Sequence, residues 1–204
     1  MRKSEFKPVD FIPYTPGYVY SLMTFPLLLR RTVQQTGKGK INNNYTLVVV
    51  GNGNGLVGIG EGKDMESFMR SREKAIADAV RNMDYVERFE DRTIWTEIDD
   101  KLGATRIILR PRPVGFGLAC NPYIHQILKA AGIKDISAKV WGSRNPLNVI
   151  KTVTRMLHAG HMPVQFGSGT TTRGGRRMEG KTGVRGKQAV ERERGRKLVS
   201  GRAW

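Results

Sequence analysis

Residues 45–64 read YTLVVVGNGNGLVGIGEGKD. Two β-rich runs, 45–50 and 56–60, flank GNGNG, where Asn-Gly occurs twice. Asn and Gly accept the positive φ angles that tight primed turns need, so the chain is predicted to reverse here as a β-hairpin. Gly53-x-Gly55-x-x-Gly58 formally matches the dinucleotide fingerprint, but that pattern needs its third glycine at the start of a helix. Here Val57 and Ile59 continue as a strand to Gly62. A phosphate loop is excluded as well, since Gly62-Lys63 is followed by Asp64 rather than Ser or Thr. The glycines therefore serve a turn, and Lys38, Lys40 and Ile41 are expected in an earlier loop that enters the first strand.

Downstream, Asp64 is expected to cap a helix running to about Met83, because Met65, Phe68, Met69, Arg72, Ile76, Ala79, Val80 and Met83 recur on one face. Strands followed by an amphipathic helix on one sheet face make a small α+β unit. A second unit begins with a strand at 94–98, a polar turn at 99–103 and a strand at 105–110. Asn121-Pro122 then opens a helix that closes at Gly132, and Asn145-Pro146 opens another that closes at Gly160. Asn caps, Pro suits the first turn and Gly ends a helix. Between them Ile136, Ala138 and Val140 alternate with Ser137, Lys139 and Trp141 as a half-buried strand. The expected class is α+β, with a second domain of order β-β-α-β-α.

The chain has 204 residues, 35 Lys or Arg against 18 Asp or Glu, and a formal net charge of +17. At 39% hydrophobic and 26% charged it has material for a packed core. No apolar run approaches the roughly 18 residues that a membrane-spanning helix needs, so no integral membrane protein is expected. One cysteine, Cys120, cannot close an internal disulfide, and no Cys-x-x-Cys pair exists to hold zinc, which fits an intracellular, unstapled chain. Residues 1–44, 45–160 and 161–204 carry net charges of +5, +4 and +8. The middle is thus an ordinary mixed-charge segment between cationic ends. The Gly/Arg-rich tail, with Arg173, Arg176 and Arg177, is expected to stay disordered until it meets a polyanion, because each cation that neutralises a phosphate releases a counterion. The first 27 residues, with Pro8, Pro13 and Pro16 among aromatics, read as an extended arm that docks on a neighbour. Glu5 and Asp10 do not suit an import presequence, and no secretory apolar region is present.

Catalytic and metal chemistry finds little support. Cys120 near His125, or His158 with His161, has no nearby carboxylate to orient it, and the second pair straddles the glycine that ends a helix. Glu87, Glu90, Asp91, Asp99 and Asp100 are expected as solvated faces or salt-bridge partners. No enzyme, cofactor or metal is expected. What remains is cations on loops beside glycine: Arg30-Arg31, Lys38, Lys40, Lys63, Arg110, Arg112, and Arg144 within Gly142-Ser143-Arg144-Asn145. At the last, the amides of a helix amino end and Arg144 suit one anion, or Asn145 simply caps its helix.

Arg30-Arg31 followed by a Gly-Lys loop, VVVGNGNGLVGIGEGK at 48–63 and AAGIKDISAKVWGSRNPLNVIK at 130–151 resemble, in order and spacing, the fifth protein of the small ribosomal subunit. The resemblance covers about residues 28–160, and YVERFEDRTIWTEI at 85–98 is similar to the mitochondrial branch. The bacterial pattern has a glycine-rich turn where this chain has Cys120-Asn121-Pro122, and Gly-Gly-Arg-Arg where it has Gly37-Lys38-Gly39-Lys40. The resemblance implies an N-terminal extension at 1–27, a double-stranded-RNA-binding-like domain at 28–84, a C-terminal α+β domain at 85–160 and a basic tail at 161–204. It implies a structural protein in the mitochondrial matrix that binds small-subunit rRNA and the neighbouring ribosomal proteins four and eight, near the mRNA entrance path and the decoding-fidelity region. Residues 38–42 would approach rRNA near the head and neck, 51–55 near the body, and 143–148 would form a contact surface. The RNA-binding candidates are thus Arg30, Arg31, Lys38, Lys40, Asn42, Asn52, Asn54, Lys63, Arg110, Arg112, Arg144, Asn145, Arg173, Arg176 and Arg177. A free RNA-binding or RNA-processing factor is the alternative.

Overall fold

The computed structural model describes residue 12 and residues 14–159. The chain divides into two compact units, one running to Val86 and including Gln126–Gly132, the other formed by Glu87–His125 and the chain from Ile133. In the first unit a short helix α1 (Pro16–Ser21) precedes strands β1 (Met23–Thr36), β2 (Gly39–Gly51) and β3 (Leu56–Asp64), helix α2 (Phe68–Arg81) and a two-residue strand β4 (Asp84–Tyr85). The sheet is antiparallel in the order β1-β2-β3-β4. The β2–β3 hairpin forms as the sequence predicts, with Val50 opposite Gly58 and Gly51 opposite Val57. Gly53 and Gly55 take φ of +73° and +98°, the left-handed conformation that favours glycine.

Why α2 lies against this sheet is written in β3. Gly58, Gly60 and Gly62 alternate and so share one face, and a Cβ there would come within 2.2 Å of the Ala79 carbonyl, 2.1 Å of that of Ala75 and 2.0 Å of that of Ser71. Those three helix residues are four apart and form one stripe. Glycine strand and small-residue helix thus meet backbone to backbone. The Ser71 hydroxyl donates to the Gly62 carbonyl at 2.9 Å and lies 2.9 Å from the Thr46 hydroxyl, so no polar group is stranded at the contact. Val48 and Val50 on the same sheet face join Val19, Leu22, Ala75, Ala79 and Val80 in the core.

Two expectations change here. The α2 cap is Ser67, whose Oγ accepts from the Met69 amide, and not Asp64. Asp64 still pairs with Asn44 at the end of β3, and its carboxylate accepts from the Glu66 and Ser67 amides to turn the chain into the helix. Accordingly Met65, Phe68 and Met69 are exposed, and the buried stripe is made of the small residues. The extended-arm expectation fails at Pro16–Ser21, where Pro16 begins a helical turn. Residues 1–11 of that arm and the whole 161–204 tail lie outside the described residues.

The second unit holds β5 (Ile98–Leu102), β6 (Thr105–Pro111), β7 (Leu118–Ala119), helix α3 (Pro122–Ala131), which runs on into the first unit, β8 (Ile136–Gly142) and α4 (Pro146–His158). Its sheet has the order β5-β6-β8-β7, with β7 parallel to β8. Ile107, Leu109, Ile136 and Ala138 are buried, and α4 packs on β5 and β6 with Val149, Ile150, Val153, Met156 and Leu157 buried. The helix starts are as expected: Asn121 Oδ1 accepts from the Tyr123 amide and Asn145 Oδ1 from that of Leu147. The first strand is not. It begins at Ile98, so 99–102 are strand and the turn is centred on Gly103, with φ of +59°. Residues 87–97 form instead a loop around Arg92, which donates to Glu90 at 3.0 Å and to the Arg112 carbonyl at 2.9 Å, with Asp135 at 3.7 Å. Ile94 is fully buried, and Phe89 meets Trp95 edge to face at 4.8 Å.

Candidate nucleic-acid interface

Residues 11–60 contain no Asp or Glu. Within that stretch β1 and β2 stay paired past the end of β3: beyond Asn44, opposite Asp64, the ladder continues with two strands alone from Thr32–Asn43 to Thr36–Gly39. A two-stranded ribbon buries little, and every residue from Leu29 to Gln35 is exposed. The expected loop at 38–42 is therefore corrected. Only Gly37-Lys38 form the turn, whereas Lys40, Ile41 and Asn42 belong to β2, and Arg30 and Arg31 lie on β1 rather than on a loop.

Alternation along the strands distributes the cations. Arg30 pairs with Tyr45, which pairs in turn with Lys63, so these three share the sheet face opposite α2. Lys63 Nζ stands 5.8 Å over the Tyr45 ring. Burial, helped by Glu61, pushes the Tyr45 phenol up to about 12, so it stays a neutral hydroxyl. Arg31, Asn42 and Lys40 fall on the other face, and Lys38 sits at the tip. Taken from Arg30 to its tip, the β1–β2 pair is thus cationic on both sides, Arg30 on one and Arg31 and Lys40 on the other, with Thr32, Gln34, Gln35 and Asn43 adding hydrogen-bonding groups. A-form RNA offers phosphates and 2′-hydroxyls, which suit such a surface.

The remaining candidates are placed differently. Asn52 Oδ1 accepts from the amides of Asn54 and Leu56, so it shapes its turn, while Asn54 is exposed. The Gly53 and Gly55 amides donate to the Ala130 and Ala131 carbonyls at 2.9 and 3.0 Å, satisfying the end of α3 rather than a phosphate. Arg110, on β6, donates to Glu97 at 3.2 Å, and Arg112 follows that strand with its guanidinium 5.3 Å from the Phe116 ring. Arg144 is exposed beside Asn145, whose side chain caps α4. Arg173, Arg176 and Arg177 lie outside the described residues. The signal that sequence reasoning missed was the run without acids, which marks the ribbon more sharply than any glycine.

Among the described residues no group of three or more His, Cys, Asp and Glu could hold a metal, and no helix is long and apolar enough to cross a membrane. Burial pushes the Cys120 thiol up to about 11, the opposite of an activated nucleophile. The acids are salt-bridge partners as expected: Asp91 with Arg88, Glu90 with Arg92, Asp99 with Arg106 and Asp100 with Arg155.

Residues 22–87 match the family model of the ribosomal protein S5 N-terminal domain, and 100–163 that of the C-terminal domain. The chain belongs to the ribosomal protein S5 family. It is similar to the small ribosomal subunit protein uS5m of Schizosaccharomyces pombe, 47% identical over 143 residues that cover 70% of this chain and 37% of the relative. The uS5m of Neurospora crassa is 41% identical over 68% of this chain and 29% of its own length. The uS5 of Legionella pneumophila (strain Corby) is 32% identical over 74% of this chain and 87% of its own. The chain thus spans about a third of the fungal relatives' length and matches most of the bacterial protein.

Proposed function

We propose that this chain is a structural constituent of the mitochondrial small ribosomal subunit, resident in the matrix, which binds rRNA and does no catalysis. The observation that carries this is the β1–β2 pair from Arg30 to its tip, cationic on both faces, in a stretch with no acid from residue 11 to 60. A catalytic site needs converging groups, whereas a scaffold needs spread charge, and the described residues offer the latter. In this proposal the first domain, 28–84, works as a double-stranded-RNA-binding-like module. It is supported by three antiparallel strands followed by helix α2 on one sheet face, to which α1, N-terminal to that range, adds Val19 and Leu22 in the same core.

Arg30, Arg31, Lys38, Lys40, Asn42 and Lys63 contact rRNA phosphates and sugars in this proposal. Asn54, Arg112, Arg144 and the amides at the start of α4 add a second set, and Arg173, Arg176 and Arg177 in the tail a third. Asn52 and Asn145 act through the loops they hold. Arg110 shares its charge between Glu97 and RNA. The protein neighbours are those numbered four and eight, near the mRNA entrance path and the decoding-fidelity region, as the family resemblance implies. Sedimentation of an organelle lysate through a density gradient, in moderate and in high salt, tests this. Full-length chain should travel with the small subunit and stay there at high salt. Chain found free, or stripped by salt, would instead mark a transient RNA-binding or RNA-processing factor.

A further inference from the structure

The ribbon leaves unused the outer face of the β5-β6-β8 sheet. Ladder pairing puts Lys101, Arg106 and Trp141 in one row on that face, and Asp99, Ile108 and Lys139 in the next. Trp141 is 60% exposed, although a large apolar side chain favours burial. Beside it lies a shallow, open depression bordered by Lys101, Arg106 and Gly142. Its two acids are already committed, Asp99 to Arg106 and Asp100 to Arg155. Lys101 and Lys139 have no ion pair among the described residues, so the uncompensated charge of the face is positive.

An apolar protein partner would find only Trp141 and Ile108 among charges. An anionic chain with flat apolar rings fits better. Every base has a π-face to stack on an indole, and Lys139 lies about 6.6 Å along the strand from Trp141, in reach of the adjoining phosphate. Bases inside a duplex are stacked on each other, so only an unpaired one can do this.

We propose that Trp141 is a stacking platform for an unpaired base of a single-stranded RNA segment, with Lys101 and Lys139 on its phosphates and Arg106, positioned by Asp99, at its edge. This rests on the RNA-binding function above but concerns a different surface and a different form of RNA.

The test uses full-length chain with a labelled ten-nucleotide oligoadenylate, and with a labelled RNA duplex as the second arm. Trp141→Ala should weaken oligoadenylate binding about tenfold, Trp141→Phe should keep most of it, and neither should change duplex affinity. Lys101→Ala with Lys139→Ala should make the salt dependence for the oligonucleotide shallower by about 1.4 in log–log slope. Ultraviolet crosslinking should place a nucleotide adduct on the tryptic peptide 140–144. Unchanged oligoadenylate affinity in Trp141→Ala would overturn the proposal, as would an equal loss in both arms, which would mean that the indole supports the fold. A wild-type chain that binds no duplex and leaves the small subunit in high salt would instead sink the ribosomal function, whatever Trp141 does.

Discussion

Gly60 sets how near α2 can come to the sheet. Its Cβ would fall 2.1 Å from the Ala75 carbonyl and 2.2 Å from the Ala79 amide, both backbone atoms that cannot turn aside. Gly60→Ala should therefore destabilise the chain by about 1–3 kcal/mol or more, as overpacking does, read as a lower urea midpoint. Gly37, in the ribbon turn, has nothing within 4 Å of such a Cβ and no positive φ. Gly37→Ala should stay within about 0.5 kcal/mol of wild type, and equal losses in both variants would refute the close approach. The sequence already showed that 56–62 was a strand, but not that its glycines were a docking face. Period counting gives weight to large apolar residues, so Met65, Phe68 and Met69 were drawn into the helix face when the contact in fact needs the smallest side chains.

At the scale of elements, most boundaries set by a backbone rule were legible and those set by tertiary contacts were not. Asn-Pro at 121–122 and 145–146 starts helices because cap and ring act locally. The strand expected at 94–98 is instead loop and strand start, since Arg92 ties that loop to residues distant in sequence, Arg112 and Asp135 among them. The β3–α2 junction offers a pH test. Lys74 beside Asp64, with the Ser67 and Glu66 amides, holds its carboxyl at about 2. A depressed folded-state pKa means that folding favours the ionised form. This contribution is complete above the unfolded value of about 3.9 and is lost as pH falls through about 2. Urea midpoints should thus fall more steeply below pH 4 in wild type than in Asp64→Asn, whose side chain cannot titrate. Parallel curves for the two proteins would show that the junction contributes nothing to acid sensitivity.

For the whole molecule, composition gave the class of partner and charge placement gives the surface. A net +17 implied a polyanion, but a total cannot separate cations held in ion pairs from those that are not. Arg106, Arg110 and Arg155 are each paired to an acid across their sheet or helix, whereas β1 and β2 contain no acid at all. Counterion release depends on cations that reach phosphate, so the ribbon should dominate the salt dependence among the described residues. Replacing Arg30, Arg31, Lys38 and Lys40 together by alanine in full-length chain should make the log–log salt slope for duplex RNA shallower by about 3–4. Arg155→Ala, which removes a cation already held by Asp100, should leave the slope near that of wild type. Since these four positions are exposed, circular dichroism and the thermal midpoint should be unchanged, so a lost slope cannot be put down to unfolding. A slope that moves with Arg155 and not with the ribbon would place the RNA on the second sheet instead.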